Sequence, residues 1–572
     1  MRKFHFPKAA AALFAGAAAL HPATGFGASA PGTEVGPTAA GNYLAGRHAQ
    51  RERRTAAAAD FYLAALKDEP DNRDLLRRTF LILAADGRIG ESLPLARRLL
   101  KLAGTDATLA VMIVGIAELA DGNPAAARER FATLPNTGLN TFFLPLVKAW
   151  LLAGEKKYDE ALAELAGKAT NPGLEILYGT HTALINEAAG NTAAAGEAYK
   201  AAADKRQRTN LRLTQLQGEF LERAGQKESA KAAYDAYVAE HPNSTVLEGS
   251  FKRLDGGPKP PVRVKTARDG VAEALFSLAG SIRQQDSFET MLFARLALHL
   301  KPRMDIAKLL AAEVLEGDER LAESNAVYRQ IGRTSGFSWS ARLRIASNLD
   351  RLDETEQAVR ELRSLAEERK DRYDALVSMG DILRRRERYR EAAEAYAEAR
   401  ARIPSLEPRH WTLLYTTGIA HERLKEWPKA EPAFLKALEL QPDQPFVLNY
   451  LGYSWVELGR NLDRARSMIE KAVEKRPTDG YIVDSLGWVL YRLGDLPGAV
   501  KNLERAVELR PEDPTINDHL GDVYWLVGRR NEARFQWQRS LILEPEKDLE
   551  VKIRDKLENG FDPEKHGKPA GN

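Results

Sequence analysis

The chain has 572 residues, 44% hydrophobic and 28% charged, and its 83 basic and 80 acidic side chains leave a net charge of +3. That balance suits a folded, soluble, helix-rich protein and argues against nucleic acid as a partner, because phosphate binding needs a concentrated positive surface. Cysteine is absent, which excludes disulfides, thiolate metal sites, thiol catalysis and lipid attachment through sulfur, so the chain is not expected to be a lipoprotein.

Residues 1–30 differ from the rest. Arg2, Lys3 and Lys8 precede the apolar run AAAALFAGAAAL, and Ala28-Ser29-Ala30 follows. A positive start, a short apolar centre and a small-x-small end read as a secretory signal. The apolar run is too short to span a bilayer core of ~30 Å. Pro31 disfavours a cut after Ala30, which leaves cleavage after Ala28 or Ser29, or an uncleaved, membrane-associated start. A periplasmic location is expected.

From residue 40 to 252 the pattern is helical, in divergent pairs. Gly-containing turns such as ADGRIGES, ADGNPAAA, AGEKKYDE, AAGNTAAA and AGQKESAK each precede an amphipathic stretch. Their glycines suit left-handed helix ends, and Asp, Asn or Thr suit the next helix start. Asn243-Ser244-Thr245 has the form of a glycosylation sequon but is expected to cap the helix after Pro242. Residues 253–270, RLDGGPKPPVRVKTARDG, carry Gly and Pro without helical period and are expected to link two arrays. Divergent helical repeats resume over 271–372. In LRRRERYRE (383–391), arginine and glutamate interleave as on a solvated helix face.

The span 373–545 is regular. Gly487 and Gly521, Ala499 and Ala533, and Pro511 and Pro545 are 34 residues apart. Gly452, Ala465 and Pro477, and Gly418, Ala430 and Pro442, occupy the same places upstream. In this frame small residues at positions 8 and 20 let two helices approach, large residues at 4, 11, 24 and 27 fill the gaps, and proline at 32 stops the second helix. Residues 546–572 are expected to form a terminal helix and a disordered tail.

The pattern resembles the tetratricopeptide repeat, most strongly over 373–545. The resemblance implies an all-α solenoid of stacked antiparallel helix pairs, in N- and C-terminal arrays, whose first helices line a groove. In that family positions 2, 5, 9, 12 and 13 point into the groove. The matching positions here include Tyr415, Asn449, Tyr453, Tyr481, Asp484, Trp488, Arg492, Asp518, Asp522 and Trp525. These make the candidate partner-binding set, since aromatics and arginine anchor interfaces. Packing between neighbouring helices is the alternative for Trp488 and Trp525, and Trp455 and Trp537 are assigned to the core. Asp484 and Asp518 stand where chaperone-binding relatives carry lysine, which argues against a C-terminal carboxylate as ligand.

No metal-ligand spacing, phosphate loop or nucleophile motif is present. Asp518 and His519, adjacent on a helix, diverge and cannot pair with each other. No catalytic residue, cofactor, metal or small-molecule substrate is expected, and the chain is not expected to be an enzyme. The stretch from NYLGYSWVELGR to NEARFQW is similar to long proteobacterial envelope repeat proteins. That resemblance implies an adaptor that brings cell-wall hydrolases to a C-terminal processing protease. A cytoplasmic regulatory or assembly module without a protease link is the rival expectation.

Overall fold

The structure is a computed structural model, described over residues 34–103, 107–168, 172–205 and 209–566. The expected signal at 1–30 lies outside these residues, as does the end of the tail. The described residues are all-helical, paired throughout as a tetratricopeptide-repeat solenoid, and divide into compact units at Glu368/Arg369.

The first unit contains α1 (Ala39–Arg51), α2 (Thr55–Asp68), α3 (Arg73–Asp86), α4 (Ile89–Ala103), α5 (Thr108–Ala120) and α6 (Pro124–Ala132). It continues with α7 (Asn140–Gly154), α8 (Tyr158–Leu165), α9 (Pro172–Ala188), α10 (Thr192–Asp204), α11 (Leu211–Arg223), α12 (Lys227–Glu240) and the short α13 (Glu248–Leu254). After an extended stretch come α14 (Ala267–Ile282), α15 (Ser287–Leu300), α16 (Asp305–Gly317), α17 (Leu321–Tyr328), α18 (Ser338–Arg351) and α19 (Thr355–Glu368).

One contact recurs through the divergent pairs. A Cβ on Gly46, Gly115 or Gly218 would lie 2.7, 2.8 or 2.2 Å from the ring of Tyr62, Phe131 or Tyr234, each sixteen residues later. Glycine on the first helix thus lets an aromatic of the second seat against bare backbone. On the second helices of these pairs, tyrosine hydroxyls donate to a residue twelve earlier: Tyr62 to Gln50, Tyr199 to Glu187, Tyr234 to Glu222 and Tyr328 to Glu316. Between the helices, Gly87, Gly122, Gly190 and Gly225 take the left-handed backbone expected of them, while in AGEKKYDE Lys156 does so instead of Gly154.

The stretch 253–270 does not separate the compact units, and both of its ends are helical. Pro260 and Val264 are buried, and Arg263 pairs with Glu219 of α11. The chain then doubles back along the first helices: α14 packs on α7 and α9, and α15 on α3 and α5. Gly270 makes this possible, since a Cβ there would lie 1.8 Å from Cδ2 of Trp150. The first-helix face of this array is therefore covered by its own chain. Proline and glycine forbid helix here but do not prevent docking. The sequon does not cap a helix either: α13 starts at Glu248 behind Leu247, and the Thr245 hydroxyl donates to the Gly336 carbonyl.

The second unit contains α20 (Asp374–Arg385), α21 (Tyr389–Ala401), α22 (Trp411–Arg423), α23 (Trp427–Leu440), α24 (Pro445–Glu457) and α25 (Leu462–Lys475). Then follow α26 (Gly480–Arg492), α27 (Leu496–Leu509), α28 (Pro514–Leu526), α29 (Arg530–Ile542), α30 (Lys547–Asn559) and α31 (Pro563–His566). Gly380, Gly418, Gly487 and Gly521 abut Tyr396, Phe434, Leu503 and Trp537, and the partner alanines Ala430, Ala465, Ala499 and Ala533 are fully buried. The arginine-rich run 383–391 is not one helix face, because it crosses the turn between α20 and α21, with Glu387 at φ 62°. The tail does not fray at once either: Gly560, at φ 83°, turns the chain against Trp525, and Phe561 is 5% exposed.

Candidate partner-binding face

Two first helices of the second unit, α24 and α28, start at side-chain caps, and Gln444 caps α24 by accepting from the Phe446 amide. Asp513 accepts from the amides of Thr515 and Ile516, and Pro514 opens α28 with the backbone angle a helix needs. Burial holds the Asp513 carboxyl above its usual range. Among the second helices, Asp495 caps α27, accepting from the Gly498 amide.

Half of the expected groove residues are not in a groove. Asp484, Asp518, Asp522 and Trp488 are at most 2% exposed, and Tyr453 lies in the core. Their side chains meet the next first helix. His519 Nδ1–H donates to Asp484 at 2.9 Å, and the His519 ring stacks on Trp488 with centroids 4.2 Å apart. Lys556 of α30, itself fully buried, donates to Asp518 at 2.8 Å and Asp522 at 2.6 Å. Asp522 also accepts from Trp537 Nε1 at 3.0 Å. Buried carboxylates need such partners, since an uncompensated charge away from water is costly.

Glu457 ties two more of the expected residues together, accepting from Trp488 Nε1 at 2.9 Å and from Arg492 at 3.0 Å. Asn449 is half-buried, with its Oδ1 shut from solvent and unpartnered. Tyr415 sits among Trp411, Phe434 and Tyr450, where burial pushes its phenol up to about 12. Trp455 and Trp537 are core residues, as assigned.

Of the five expected residues that are half-buried, Tyr481 and Trp525 each carry an arginine. The Arg510 guanidinium lies 5.4 Å from the Tyr481 ring centre, and that of Arg530 lies 3.8 Å from the Trp525 ring centre. The first of these pairs is repeated one unit upstream: Phe446, 39% exposed, carries Arg476 at 4.9 Å. Phe446 and Tyr481 open consecutive first helices, while Arg476 and Arg510 close consecutive second helices. The stack thus presents a repeated aromatic–arginine edge, with both arginine side chains 48% exposed. Sequence reasoning missed Phe446 and the two arginines, which lie outside the groove positions; the aromatics recur at 35 residues and the arginines at 34.

Among the described residues no group of three or more His, Asp or Glu side chains could hold a metal ion, and no helix is long and apolar enough to cross a membrane. Family models described as tetratricopeptide repeat match residues 343–407, 377–445 and 216–244, and one described as TPR repeat matches 487–528. Over 201 residues the chain is 26% identical to a TPR repeat-containing protein of Pseudomonas aeruginosa, covering 35% of this chain and 33% of that relative. Among solved structures, the APC/C hetero-tetramer Cut9–Hcn1 aligns over 91% of this chain and 96% of its own, at 14% identity and a TM-score of 0.37. A MamA structure from Desulfovibrio magneticus RS-1 aligns over 31% and 97%, at 23% identity and a TM-score of 0.27. The paired helices, their glycine–aromatic contacts and the matched repeats together identify the chain as a tetratricopeptide-repeat protein.

Proposed function

We propose that the protein is an exported, non-catalytic scaffold that captures protein partners on the second unit and delivers cell-wall hydrolases to a C-terminal processing protease. The observation that carries the capture reading is the repeated aromatic–arginine edge, Phe446 with Arg476 and Tyr481 with Arg510. Aromatic and arginine side chains dominate the binding energy of interfaces, and a solenoid repeats such a pair at fixed spacing. The basic, apolar and small-residue order of 1–30 supports export. The envelope-protein resemblance of the last repeats supports the adaptor role.

Two measurements test this reading. Fractionation of cells making the native protein should recover it from the envelope; recovery from the cytoplasm alone would refute export. Mixing purified protein, protease and hydrolase should speed hydrolase degradation, while the protein alone cleaves nothing. An unchanged rate would remove the adaptor role and leave a binding scaffold.

A further inference from the structure

The stretch between α13 and α14 reads Pro258-Lys259-Pro260-Pro261-Val262-Arg263-Val264, with Pro258 and Pro261 three apart and Arg263 two beyond Pro261. Such a run prefers the extended polyproline conformation, which has no internal hydrogen bonds and leaves its carbonyls free for recognition. The structure shows what it is recognised by. Arg223 of α11 donates to the Pro261 carbonyl at 3.2 Å, and Lys259 returns a bond to the Arg223 carbonyl at 2.8 Å. Both Nε and Nη2 of Arg263 donate to the Glu219 carboxylate, a two-pronged contact that fixes direction as well as charge. Val264 is buried beside it at 1% exposure. Backbone contact, a forked arginine and one apolar anchor are the elements of a peptide site.

We propose that this face of α11 is a recognition site for proline-rich, arginine-bearing extended peptides, kept occupied by residues 258–264 as an internal ligand. Glu219 is the specificity residue: its side chain is 4% exposed, Arg253 of α13 reaches it only at 3.7 Å, and the forked contact comes from the ligand's Arg263. The internal ligand can leave without unfolding the array. On one side it is hinged at exposed Gly256 and Gly257, with Gly256 at φ +119°. On the other, Thr266 caps α14, whose Val271, Leu275 and Leu278 stay buried. A tethered ligand competes at high effective concentration, so an incoming peptide succeeds where the tether is weakened or the peptide binds better. The site lies in the first unit and does not depend on export or on a protease.

The test uses the full chain and a fluorescein-labelled peptide with the sequence of residues 258–265, read by anisotropy. In the host chain, residues 258–264 are replaced by glycine and serine. This host should bind the peptide at least tenfold more tightly than the wild-type chain. Glu219→Gln in the same host, or Arg263→Ala in the peptide, should each cost tenfold or more. Equal binding by wild type and host, indifference to Glu219→Gln, or equal binding of a scrambled peptide of the same charge would overturn the proposal. If the replacement lowers helical content, the chain carrying Arg263→Ala serves as host, since it keeps the backbone contacts. Absence of binding to that folded host would equally overturn it.

Discussion

Replacing Lys556 by methionine keeps the length of the side chain and removes its charge from a fully buried site between Asp518 and Asp522. The methionine leaves two carboxylates close together without their cation, a lesion worth ~3–5 kcal/mol when one partner of a buried pair is removed. In a solenoid each element contacts mainly its neighbours, so the loss should fall on the docking of α30 rather than on the whole stack. At ~1.4 kcal/mol per tenfold, even the lower figure corresponds to about a hundredfold loss of protection. Hydrogen exchange followed by mass spectrometry reads this directly, with amides of 547–559 compared against those of α24 and α25. The triple variant Asp518→Asn, Asp522→Asn, Lys556→Met should recover most of the protection, because the amide oxygen introduced by Asp522→Asn can still accept from Trp537 and no charge remains buried. Unchanged protection in Lys556→Met would refute the claim that these ion pairs hold the helix, and so would a triple variant as weak as the single one.

Gly270→Ala should destabilise the first unit by about 3 kcal/mol or more, since the added methyl overlaps a fully packed Trp150. Gly280→Ala on the same helix meets nothing within 4 Å and should be neutral or stabilising by up to ~1 kcal/mol; thermal melts that rank the two alike would contradict the docking of α14. His181 accepts from Trp150 Nε1 and is held neutral by burial, which pulls it from 6.5 down to about 4. A depressed folded value means the stability it contributes is full above pH 6.5 and lost as pH falls towards 4, a drop on the order of 3 kcal/mol. In His181→Gln that part of the pH dependence of melting should flatten; an unaltered profile would assign it to other groups. Protease should cut at exposed Gly256–Gly257, yet the pieces should co-elute under native conditions, held by α14 and α15. Separation into free fragments would show that 253–270 is an open linker after all.

The repeat was legible because its geometry forces particular residue sizes. Gly487 against Leu503 and Gly521 against Trp537 are contacts in which a methyl would collide, so spacing alone reveals them. The same rule, glycine followed sixteen residues later by a large apolar or aromatic side chain, was present at Gly46, Gly115 and Gly218 but hidden by irregular spacing between pairs. What stayed hidden has a physical cause. First-helix positions face the groove and the next first helix alike, and residue type does not say which, so Trp488 and Asp484 looked like ligand contacts. Their true partners, His519 and Glu457, are 31 to 35 residues away and emerge only when repeats are superposed. The docked return of 258–300 rests on contacts such as Gly270 with Trp150, and no local pattern announces those.

The central claim is that the second unit captures a partner through its aromatic–arginine edge, and isothermal titration of the C-terminal processing protease into the full chain tests it most directly. Changing Phe446 and Tyr481 together to alanine removes one exposed ring and one half-buried ring that packs on Val483, Ala506 and Ile516. A hot-spot aromatic is worth ~2 kcal/mol or more, so the double variant should bind at least tenfold more weakly at a temperature where its helical content matches that of the wild-type chain. An affinity equal to that of the wild-type chain would contradict the claim.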